Sequence, residues 1–72
     1  MEQEEVNILE RLSVQFAEGL IVKKTVIKAR DIWNKYNPND QVSYCMCTKV
    51  RRHVYAKQFI QWYEENYRQV VQ

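Results

Sequence analysis

Residues 22–37 read VKKTVIKARDIWNKYN, and the spacing of their apolar members is helical. At 100° per residue, Val22, Val26, Ala29, Trp33 and Tyr36 fall within about 80° of one another, while Lys24, Lys28, Asp31 and Lys35 lie opposite. Asp31 and Lys35 form an i, i+4 pair in the favourable order. Pro38 disfavours helical geometry in the residue before it, so the helix stops near Asn37. Its start has two readings: a helix from Val22, or an extended Leu20-Ile21-Val22 followed by a helix that Thr25 caps and Val26 opens.

Towards the N-terminus, Leu9, Leu12, Phe16 and Leu20 repeat at helical spacing, flanked by Ile8 and Ser13, with Glu4, Arg11, Gln15 and Glu18 opposite. Glutamates crowd the first turn, where they complement the helix dipole. Gly19, the one glycine, is placed to end this helix in a left-handed conformation. Towards the C-terminus, Asn37-Pro38-Asn39-Asp40 is a turn. Residues 41–47 alternate Val42, Tyr44 and Met46 against Ser43, Cys45 and Cys47, but no second strand is available to pair with them. A buried loop leading into a helix is expected there. Thr48 is a plausible N-cap for a final helix in which Ala56, Phe59, Ile60, Tyr63, Tyr67 and Val70 form one stripe. Val50 and Val54 point nearly opposite to that stripe, and Tyr55 and Trp62 form an edge beside Arg51. A helix apolar on more than one side has more than one neighbour.

These readings give an all-α fold: a compact three-helix bundle, with helices at about 3–18, 22–37 and 48–70, in a single domain over residues 1–72. Composition agrees. Seventy-two residues bury one small core, and 46% hydrophobic with 28% charged residues is ordinary for a globular chain. One Gly and one Pro leave little for the tight turns of a sandwich or barrel. No apolar run approaches the roughly 20 residues that cross a bilayer. The acidic start, Met1-Glu2-Gln3-Glu4-Glu5, lacks the pattern of a signal peptide. Two cysteines are too few for a disulfide scaffold, so a reducing, cytoplasmic setting is expected.

The net charge of +2 conceals an acidic first helix and a basic middle. The basic middle includes Lys49, Arg51, Arg52, His53 and Lys57 at the start of the third helix, a candidate nucleic-acid contact, since helix N-termini favour phosphate oxygens. These residues wrap around the helix and do not line one face, and a pI near 8.6 is modest for a nucleic-acid domain. The protein-contact reading is stronger. Val50, Arg51, Val54, Tyr55 and Trp62 are the candidate interface, because Arg, Tyr and Trp are enriched in interface hot spots. The chain has seven Trp and Tyr residues, more rings than so small a core encloses. Protein partners or self-association are therefore expected, oriented by the acidic helix against the basic middle.

Cys45, Cys47 and His53 are every Cys and His in the chain, but a zinc site needs a fourth ligand, and C-x-C is a weak signature. No metal or cofactor is expected. Cys45 and Cys47 are also expected not to bond each other, because one intervening residue closes a strained ring. No catalytic residue emerges. Nothing orients a Cys–His pair, no Gly-rich loop cradles phosphate, and Glu64 and Glu65 diverge on a helix.

The run Ile32-Trp33-Asn34-Lys35-Tyr36-Asn37-Pro38, the cysteine pair, Arg51-Arg52 and Trp62-Tyr63 resemble small uncharacterised helical proteins of tailed phages that infect gut bacteria. The resemblance spans about residues 20–67. It implies a phage or prophage setting, in which such small helical proteins serve as virion, assembly or accessory components, placed in the virion or the host cytoplasm. It transfers no functional residue.

Overall fold

A computed structural model describes residues 1–67, and three helices account for most of them: α1 (Gln3–Glu18), α2 (Lys23–Tyr36) and α3 (Lys49–Asn66). All three helix pairs are in contact. The architecture is the expected three-helix bundle, and no strand occurs among the described residues. The core is assembled from the stripes read in the sequence. Leu9 and Leu12 of α1, Val26, Ala29, Ile32 and Trp33 of α2, and Ala56, Phe59, Ile60 and Tyr63 of α3 are all buried. Of the rest of the α3 stripe, Tyr67 is exposed at the helix end and Val70 lies outside the described residues.

Local chemistry sets the helix ends. The Glu5 carboxylate accepts from the Glu2 backbone N–H at 3.0 Å and secures the first turn of α1. Gly19 adopts φ 72°, and the N–H groups of Gly19 and Leu20 return to Phe16 O (3.1 Å) and Gln15 O (2.9 Å). This is a Schellman ending. Because α1 stops here, Leu20 falls out of the stripe assigned to it and stands exposed. The Gln15 side chain accepts from Val22 N at 3.1 Å, which holds residues 20–22 outside any helix. Helix α2 then begins at Lys23, between the two starts read from the sequence. Thr25 is no cap but is buried one turn inside the helix. At α3, Thr48 caps as expected, its Oγ1 accepting from Arg51 N at 3.1 Å.

The topology follows from which helix ends meet. Tyr36 at the end of α2 reaches Glu5 at the start of α1 (2.7 Å), and Tyr63 near the end of α3 reaches Glu10 (2.7 Å). His53 in the second turn of α3 stacks on Phe16 near the end of α1. Helix α1 is therefore antiparallel to both others, and α2 and α3 run the same way, their C-terminal halves joined by the rings of Trp33, Tyr36 and Trp62. A parallel pair requires the connection to return along α2. Residues 37–48 do so: a helix of 14 residues is about 21 Å long, well within the reach of twelve extended residues.

This returning strap is not the buried loop expected. Only Val42 and Met46 of residues 41–47 are buried, and the others face solvent. Its backbone is held by side chains from the helices beside it. Trp33 Nε1 donates to Asp40 O (2.8 Å) and Arg30 Nη1 to Tyr44 O (3.1 Å). The Asn34 amide donates to Val42 O (3.0 Å) and accepts from Val42 N (2.7 Å), pairing with the strap as a neighbouring strand would.

Candidate functional site

Three exposed apolar residues gather where the α1–α2 turn meets the first turns of α3. Val50 is 74% exposed, Leu20 69% and Val54 53%. Each has a local cause. The Gly19 ending ejects Leu20, and the i, i+4 pair Val50 and Val54 sits on α3 opposite the stripe that fills the core. Leu20, Ile21, Val50 and Val54 line an open groove of about 660 Å³, with Lys49 and Arg52 among its charged walls. The groove thus combines apolar and basic side chains.

The other candidate residues are placed differently. Tyr55 is half-buried, stacked between Tyr44 (5.9 Å) and Phe59 (6.0 Å). Trp62 is half-buried among Trp33, Tyr36 and Tyr67, with centroids 5.2–6.2 Å away. Arg51 folds back onto the strap. Its Nη1 donates to Cys45 O at 3.2 Å, and its guanidinium sits 5.4 Å from the Tyr44 ring centroid. Arg52 Nη1 donates to Met46 O (3.0 Å) and Cys47 O (3.2 Å). Of the five interface candidates, Val50 and Val54 thus share the groove, while Arg51, Tyr55 and Trp62 make contacts within the chain.

The four basic residues considered for nucleic acid do not all share one surface. Lys49 and Arg52 line the groove just described, Lys57 lines a second one beside Trp62, and Arg51 is committed to the strap. The sequence reading missed Arg30, Asn34 and the internal task of both arginines. A signal was available: an extended segment without a partner strand still needs donors for its carbonyl groups.

Cys45, Cys47 and His53 do not converge. His53 is turned to Phe16, 4.8 Å between centroids, and among the described residues no group of three or more Cys, His, Asp or Glu is arranged to hold a metal. The cysteines themselves depart from expectation, for the structure pairs them as a disulfide, with a Cα–Cα distance of 5.4 Å. The expectation took ring closure as prohibitive. That distance is shorter than the roughly 6.5 Å of two extended residues, so the backbone bends at the buried Met46 and brings the two cysteines together on its outer side.

The acidic helix is tied inward as well as outward. Glu5 accepts from Lys35 Nζ (2.8 Å) and Tyr36 Oη (2.7 Å). These bonds, led by that of Lys35, hold the Glu5 carboxyl at a pKa of about 2, well below the usual carboxylate range. The same contact raises the pKa values of Lys35 and Tyr36. The outer face of α1 remains open, with Glu4, Val14, Ala17 and Glu18 all exposed.

No helix among the described residues is long and apolar enough to cross a membrane. No family model, curated protein or solved structure matches the chain.

Proposed function

We propose that the chain is a non-enzymatic helical protein that acts through protein–protein contacts, and that the first partner of its groove is a second copy. The observation that carries this reading is the exposed cluster of Leu20, Val50 and Val54 at one end of the bundle, walled by Lys49 and Arg52. Apolar and basic side chains in one groove suit an acidic surface with an apolar knob. The α1 face of Val14, Ala17 and Glu18 has that chemistry and adjoins the same end of the molecule, because α1 runs directly into Leu20. Two copies related by a two-fold axis would each insert this face beside the other's groove, so the contact closes as a dimer. The resemblance to small tailed-phage proteins supports placing such a module in a virion, assembly or accessory complex.

Light scattering during size exclusion, with absorbance read at 260 and 280 nm, tests the reading. A dimer whose fraction rises with concentration is expected. Val50→Asp should weaken it by at least about tenfold, since it places a charge in a desolvated contact. Glu18→Lys should also weaken it, and Lys49→Glu in the same chain should restore it. A chain that stays monomeric at every concentration overturns the proposal. So does a monomer carrying excess 260 nm absorbance that high salt removes, which is the signature of nucleic-acid binding.

A further inference from the structure

We propose that Cys45 and Cys47 form a redox-active dithiol that undergoes thiol–disulfide exchange with anionic low-molecular-weight disulfides of the glutathione type. The pair is ill suited to a structural role. A disulfide stabilises chiefly by closing a long loop in the unfolded chain, and this one spans a sequence separation of 2. What the pair contributes is chemistry. Met46, fully buried between them, fixes the register that turns both sulfurs to solvent, where both cysteines are exposed. Arg51 Nη1 stands 3.9 Å from Cys45 Sγ and is itself anchored on Cys45 O, so a cation is held against that sulfur and favours its thiolate. Thr48, the cap of α3, follows Cys47 directly, which adds a helix N-terminus beside the pair. That positive surroundings favour a disulfide whose flanking groups are carboxylates.

The exchange balances as follows. The Cys45 thiolate attacks one sulfur of RS–SR and expels RS⁻, leaving a mixed disulfide on Cys45. The Cys47 thiolate then attacks Cys45 Sγ, forms the Cys45–Cys47 bond and expels the second RS⁻. Two protein thiols are oxidised, one disulfide is reduced, and the two cysteine protons end on two RSH.

The test uses the whole chain, reduced, mixed with glutathione disulfide, then quenched with a maleimide and weighed intact. The expected product is a monomer lighter by two hydrogens that takes up no maleimide. Cys47→Ser should stop at the mixed disulfide on Cys45. Arg51→Gln should slow the reaction roughly threefold at neutral pH, with Arg51→Lys close to the parent, because lost thiolate is partly offset by greater nucleophilicity. Helix content of each variant is followed by circular dichroism, and the parent and Cys47→Ser chains keep the test independent of any loss of fold caused by Arg51. A chain that still takes two maleimides, or that ends as a doubly mixed disulfide, overturns the proposal. An unchanged rate in a folded Arg51→Gln chain overturns the role given to Arg51.

Discussion

The two connections of the bundle solve one problem in opposite ways. Residues 19–22 turn α1 into α2 with bonds made almost entirely within themselves and the adjoining turns: Gly19 N to Phe16 O, Leu20 N to Gln15 O, Thr25 N to Val22 O, and Val22 N to the Gln15 side-chain oxygen. Residues 37–48 carry the chain back along α2, and most of the bonds that hold them come from elsewhere. The carbonyls of Asp40, Val42, Tyr44, Cys45, Met46 and Cys47 accept from Trp33, Asn34, Arg30, Arg51 and Arg52. A short turn encloses its hydrogen bonds, whereas a long crossover must borrow them from the surfaces that it crosses. The strap therefore depends on the bundle, and the bundle depends on the strap to set α3 parallel to α2.

The sharpest way to break this comparison is at the strap's apolar anchor. Met46 is fully buried, and Met46→Ala should cost about 2–4 kcal/mol, a loss that lowers Tm by roughly 10 °C or more in a domain of this size. If thermal melting shows less than a few degrees of change, the strap is not part of the cooperative unit. Asn34→Ala comes next. It leaves the Val42 N–H and C=O without their partner and should cost about 1–2 kcal/mol by urea unfolding. Asn34→Asp sharpens the point. It keeps an acceptor for Val42 N but sets a carboxylate against Val42 O, so it should rescue little of the loss.

The difference between the connections also explains what could be read from the sequence. The helices, the Gly19 ending and the Thr48 cap were legible because each depends on residues within a few positions. The returning strap was not. Its anchors lie in pairs such as Arg30 with Tyr44 and Asn34 with Val42, and nothing in the local pattern of either partner announces the other. For the same reason Lys49, Arg51, Arg52 and Lys57 read as a basic cluster wrapped around the start of α3 and open to a partner, although two of its guanidinium groups bond backbone carbonyls. Val50 and Val54 were legible as an apolar face without a core partner. Leu20 was not, because its place outside the stripe depends on the residue at which α1 ends.

On the turn side, the expected effect is smaller. Gly19→Ala meets no atom within 4 Å, so sterics with neighbours contribute nothing. Only the positive φ resists the added Cβ, and the cost should be about 1 kcal/mol, with helix content unchanged. A loss as large as that of Met46→Ala would mean that the turn, too, depends on distant contacts.

The smallest effect lies where α1 meets the end of α2, just before the strap begins. The Glu5 pKa is held at about 2 in the folded chain by Lys35 and Tyr36, against an ordinary value of 4.5. A depressed folded pKa means that the unfolded chain binds the proton first. The stabilisation is therefore complete above about pH 4.5 and fades as the pH falls from there towards 2. Lys35 and Tyr36 have raised values, so their share is complete below their ordinary values of 10.5 and 10.0 and fades as the pH rises through them. Glu5→Gln should cost less than about 1 kcal/mol at neutral pH, because Lys35 is largely in water and the pair is partly screened. Its clearer mark is on the slope: urea midpoints of the variant should fall less steeply between pH 4.5 and 2 than those of the parent. Equal slopes would show that this contact contributes nothing to the register in which α2 delivers the chain to its return path.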